Sequence, residues 1–129
     1  MVIFCGEISM TDYLDPAEWG DLLAGFSSRN RFRRARFEKF GRGGVVEEEQ
    51  EAHLKNIAVE LTGDDAPRVI VTRLDNSTAR TTEMVTVIPR VRRIAAQLDV
   101  DGSEDALEIE DINRVLSVLR LESKVDGAS

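Results

Sequence analysis

Five arginines fall within eight residues of this sequence: Arg29, Arg31, Arg33, Arg34 and Arg36, with Phe32 inside the run and Phe37 closing it. Guanidinium groups bind phosphate and carboxylate oxygens through paired hydrogen bonds, and aromatic rings stack on bases. The run is therefore a candidate anion- or nucleic-acid-binding strand, with Arg29, Arg31, Arg34 and Arg36 as its site residues. Strand geometry divides it. Successive side chains alternate faces, so Arg34 and Arg36 share one face while Arg33 joins Ala35 and Phe37 on the other. Glu47, Glu48, Glu49 and Glu51 follow. A hairpin sets such residues opposite the basic ones, each cross-strand pair contributing about 0.2–1 kcal/mol. A charge-paired sheet is the competing reading, and the preferred one.

Carboxylates gather at Asp99, Asp101, Glu104, Asp105, Glu108, Glu110 and Asp111. An EF-hand loop needs Gly at its sixth position and a bidentate Glu at its twelfth, between two helices. Counted from Asp99, Gly102 is fourth, and strand-like patterns flank it. The spacing is that of a solvated hairpin turn. His53 is the only histidine and has no second His or Cys near it in sequence, whereas general-base and metal roles need partners. Cys5 has no basic neighbour to activate its thiol. Gly41-Arg42-Gly43-Gly44 lacks the Gly-Lys-Ser/Thr ending of a phosphate cradle, and no helical pattern follows it. No catalytic residue, metal site or cofactor is expected.

The elements that would position these residues are legible in the periodicity. Asp15-Pro16-Ala17-Glu18 reads as a helix start, with Asp15 as cap, Pro16 at the first position and Glu18 three after the cap. Trp19, Leu22, Leu23 and Phe26 then form one apolar stripe. Gly20 and Gly25 each cost about 1 kcal/mol against Ala, so packing must hold this helix. It should end near Ser27–Asn30 and lie on a sheet, with Trp19 as its core anchor. From Phe32 the period becomes two. Strands are expected at Phe32–Phe40, Leu54–Leu61, Arg68–Leu74 and Met84–Ile88, the last stopped by Pro89. Arg68–Leu74 is apolar on both faces and reads as central. The clearest stretch is a meander from Arg92 to about Ser123. Ile94, Ala96, Leu98 and Val100 alternate, Asp101-Gly102 is a hairpin signal, Leu107 and Ile109 alternate, and a turn near Asn113 leads into Val115–Leu121.

With 129 residues the chain is expected to form one domain. Residues 1–10 read as an extension or an edge strand, 11–123 as the domain, and 124–129 as a flexible tail. The net charge of −7 weighs against general phosphate-backbone binding. One cysteine rules out an intrachain disulfide and suits a reducing cytoplasm. No apolar run reaches the ~18 residues of a membrane span, so no membrane partner is expected.

The segment Phe26-Ser27-Ser28-Arg29-Asn30 followed by Arg33-Arg34-Ala35-Arg36-Phe37-Glu38 resembles the opening of a bacterial family of small domains of unknown function. A Glu-rich segment before Leu54–Ile57, and the run Ala106-Leu107-Glu108-Ile109-Glu110 with Leu119-Arg120-Leu121-Glu122, resemble its later parts. The likeness spans roughly Leu14 to Glu122. Two departures stand out: no His within 81–86, and Ile112-Asn113-Arg114 where the family tends to have Gly. The resemblance implies a fold and a bacterial cytosolic setting, and no active site.

The fold expected is α+β: an N-terminal helix on a curved, mostly sequential antiparallel sheet of six to seven strands, curling toward a barrel. The function expected is a non-enzymatic binding or protein-interaction module, self-associating as a homodimer or taking a protein partner. The alternative is the anion- or nucleic-acid-binding domain built on the arginine strand.

Overall fold

The stripe of Trp19, Leu22, Leu23 and Phe26 sits in the curve of an antiparallel sheet. The computed structural model describes residues 16–122 except 42–43, 49–51, 77–78, 99–101 and 103, with backbone alone over 44–48. The readings made for residues 1–10, Cys5, Asp15, the centre of the Gly-rich loop and the tail at 124–129 fall outside these residues. One 3₁₀ turn, Pro16–Glu18, leads into α1, Trp19–Arg29. Trp19, Leu23 and Phe26 are buried, and Leu22 packs beside them. Glu18 stands at the N-cap without a side-chain cap bond, so packing holds the helix start. Asn30 ends the helix: its backbone N–H and its Nδ2 both donate to the Phe26 carbonyl, at 3.1 and 2.8 Å.

The strands are β1 (Arg34–Gly41), β2 (Gly44–Glu48), β3 (Ala52–Glu60), β4 (Arg68–Asp75), β5 (Thr82–Ile88), β6 (Val91–Leu98), β7 (Glu104–Asp111) and β8 (Leu116–Leu121). β1 starts two residues later than the alternation suggests. The Arg33 N–H returns to the Asn30 carbonyl, and Phe32 takes a positive φ of 69°, so the chain is still turning there. Seven strands run in the order β5-β4-β3-β1-β8-β7-β6, and β2 lies off this path, paired with β1. Two sequential meanders, β3-β4-β5 and β6-β7-β8, are thus joined through β1.

This order places β5 and β6 at opposite edges, although only Pro89 and Arg90 separate them in sequence. The sheet must curl until its edges meet at that corner. There the Arg90 N–H donates to the Asp65 carbonyl at 2.8 Å, and the Val91 N–H to the Pro67 carbonyl at 2.9 Å. The Arg90 carbonyl accepts the Ile112 N–H at 3.0 Å. The curl does not close into a barrel, because β5 pairs with β4 and β6 with β7 on one side each. Phe37, Leu54, Val71, Ile94, Ile109 and Leu119 line the concave face under α1. The last turn is held by Asp111, whose Oδ1 accepts the N–H groups of Asn113 and Val115. Gly102 takes φ 89° at the β6–β7 turn, where only glycine is unstrained.

Two features of the interior depart from simple alternation. β3 buries Ala52, Leu54 and Ile57, so a bulge at Lys55–Asn56 shifts its register against β4 and exposes both residues. β4 lies one strand in from the edge, and its inward residues are Val69, Val71 and Arg73. Arg73 is fully buried. Its Nη1 donates to the Ala35 carbonyl at 3.2 Å, and its guanidinium carbon lies 5.0 Å from the centre of the Phe37 ring.

Candidate binding surfaces

The four arginines singled out by the sequence do not converge. Arg29, on the last turn of α1, forms a two-pronged bond with Glu104: Nε to Oε1 at 3.1 Å and Nη2 to Oε2 at 2.7 Å. Asn30 Nδ2 adds a third bond to the same carboxylate at 2.8 Å. Arg33 lies under this cluster. It donates to Asn30 Oδ1 and to the Glu104 carbonyl, each at 2.8 Å, and to the Glu122 carbonyl. The Phe-Ser-x-x-Asn segment and its arginines therefore tie the end of α1 to the start of β7 and the end of β8. Ser27 completes the segment by donating its hydroxyl back to the Leu23 carbonyl at 2.7 Å.

Arg34 and Arg36 share the outer face of β1, as strand alternation requires, while Ala35 and Phe37 are buried. Arg34 lies 3.6 Å from Glu122, and Arg36 lies 3.0 Å from Glu38. These acids are not the ones expected across the hairpin. β2 aligns only with Glu38–Gly41, so the N-terminal half of β1 faces β8 on one side and the start of β3 on the other. On β8, Arg120 is directly opposite Arg36. Two guanidinium groups so placed repel one another unless a carboxylate stands between them.

Glu38 fills that position. Its Oε1 accepts Arg120 Nε at 2.7 Å and its Oε2 accepts Arg36 Nη2 at 3.0 Å. The Arg120 hydrogen bond holds the Glu38 carboxyl below the ordinary carboxylate range, against the opposing effect of burial. A carboxyl depressed in the folded state adds stability above its unfolded pKa, and that stability is lost as pH falls through the folded value. Glu38→Gln should therefore lower stability at neutral pH and flatten the acid limb of the stability–pH curve. Urea unfolding from neutral to acid pH measures both effects.

Arg31 differs from the other three. It sits in the turn before β1, is exposed, and makes no ion pair among the described residues. With Phe32, Lys55, Asn56 and Leu74 it lines an open concavity of about 420 Å³. Phe32 is 60% exposed at its rim. Lys55 pairs with Glu83 of β5. His53, expected at the surface, is a half-buried residue of β3 with Nδ1 3.5 Å from Asn76 Nδ2.

The two sheet edges contrast. β6 carries Arg92 and Arg93, both exposed, the latter paired with Glu110 at 3.0 Å. β5 carries Val85 and Val87, exposed by 57% and 49%. Val87 lies beside Ile70, and Ile70 beside Ala58, so an apolar stripe crosses the outer face of three strands and runs out at the β5 edge. No described helix is long and apolar enough to cross a membrane. Comparison with protein-family models, curated proteins and solved structures finds no match for this chain.

Proposed function

We propose that this domain is a non-enzymatic interaction module that pairs with a second copy of itself along the outer edge of β5, which no other described strand covers. The observation that carries the reading is the apolar outer face of an edge strand, at Val85 and Val87. Unpaired strand edges template further pairing, and proteins blunt the edges they need to keep free with charge. β6 is blunted by the exposed Arg92, while Arg93 of β6 and Glu83, the one acidic side chain of β5, are each matched, to Glu110 and Lys55. An antiparallel pair centred on Val85 sets valine against valine, and Glu83 of each copy against Val87 of the other. No like charges face one another. Such an interface is isologous and closes at two subunits.

Sedimentation equilibrium tests this. The wild-type chain should form a reversible dimer, and Val85→Lys with Val87→Lys should be monomeric. Because both valines are exposed, the paired substitution should leave monomer stability within about 0.5 kcal/mol per site. A strictly monomeric wild type, or a lysine variant that still dimerises, would overturn the proposal.

A further inference from the structure

We infer that the concavity at Arg31 and Phe32 is a binding site for a mononucleotide-class ligand, a planar base carrying one phosphate. Two irregularities of the backbone meet there. Phe32 has φ 69°, a conformation that bulky side chains rarely adopt. On the strand facing it, the bulge in β3 turns Lys55 and Asn56 outward together. Bulges re-aim side chains beside functional sites, and strained residues persist at ligand clamps when the surroundings over-determine them. Here the surroundings do so. The Phe32 N–H donates to the Leu54 carbonyl at 2.6 Å, and the Leu54 N–H donates to the Arg33 carbonyl at 2.9 Å. The turn and the bulged strand are locked to each other, and the result is an aromatic face held in solvent.

The side chains define the ligand. Phe32 offers a ring face for a planar body, and Leu74 adds an apolar side chain to the lining. Arg31 carries an unmatched guanidinium among the described residues, suited to two-pronged recognition of a phosphate. Lys55 is a second cation whose exposed pairing with Glu83 exchanges readily. Asn56 supplies amide donors and an acceptor for a base edge. The volume of about 420 Å³ lies within the roughly 300–1,000 Å³ span of small-ligand sites. A polynucleotide fits less well. Arg29, Arg34 and Arg36, which would have to follow its backbone, are each bound to a carboxylate, and the chain carries a net charge of −7. The site lies on the outer face over β3 and β4 and meets the β5 edge only through the Lys55–Glu83 ion pair, so variants at Arg31 and Phe32 test it separately from pairing at that edge.

The test is titration of the whole chain with adenosine monophosphate at low salt, followed by amide NMR shifts. Shifts should centre on Arg31, Phe32, Lys55 and Asn56, and Arg31→Gln should raise Kd tenfold or more. Phe32→Gly is the decisive variant. Glycine accepts the positive φ, so the urea midpoint should hold or rise while mononucleotide binding is lost. Absence of shifts at these residues, or unchanged binding in Phe32→Gly, would overturn the inference. So would affinity that climbs steeply with oligonucleotide length, which would indicate an extended phosphate track in place of a single-nucleotide site.

Discussion

Phe37→Ala should destabilise the domain by about 3–5 kcal/mol, the range for truncating a buried aromatic ring. The ring is fully buried on the inner face of β1, the strand that joins the two meanders. Its removal acts twice. It opens a cavity beneath α1, and it takes away the face over which the Arg73 guanidinium sits at 5.0 Å. A desolvated cation–π contact contributes about 2 kcal/mol. Phe37→Leu separates the two effects, because it retains much of the volume and none of the ring face. Urea unfolding should order the proteins wild type, Leu, Ala in falling stability. A loss below about 1 kcal/mol for the Ala variant would show that this ring is not packed as a core residue.

Phe26→Ala should have an effect of similar size, about 3–5 kcal/mol, and should reach beyond the side chain it removes. Gly20 and Gly25 leave α1 with little intrinsic helicity, and Glu18 provides no side-chain cap. Phe26 is fully buried, and its carbonyl receives both Asn30 bonds that end the helix. Loosening that turn also loosens the Asn30–Glu104 and Arg29–Glu104 bonds, which hold β7 to the helix. The melting temperature should fall by more than about 10 °C, since each kcal/mol shifts Tm by several degrees in a domain of this size. Helical ellipticity should fall at temperatures where the sheet signal persists.

These two residues also show where the sequence speaks and where it does not. The stripe from Trp19 to Phe26 and the meander from β6 to β8 are local patterns, and local periodicity reports them faithfully. The placement of β1 between β3 and β8 rests on pairings far apart in the chain, which no window of sequence contains. The same holds for the arginines. Arg29 meets Glu104 across 75 residues and Arg120 meets Glu38 across 82, pairings that no local charge pattern contains. Two features of the interior do have a local signal. Leu54 and Ile57 are three apart where a regular strand would bury every second residue, which is the mark of the bulge at Lys55–Asn56. Arg73 follows Val69 and Val71 at period two, which places it on the buried face, although arginine is seldom fully buried. Arg31 is among the four arginines the sequence offers, but nothing local sets it apart from the other three, because the turn that carries it depends on the positive φ of Phe32, which bulky residues seldom take.

Pairing along β5 is the central claim, and amide hydrogen exchange followed against protein concentration tests it most directly. The amides of Thr82–Ile88 that do not bond to β4 should exchange slowly at high concentration and rapidly on dilution. Those on the free side of β6 should exchange rapidly at both. Exchange from β5 that does not change with concentration, or protection that appears on β6 instead, would contradict the account.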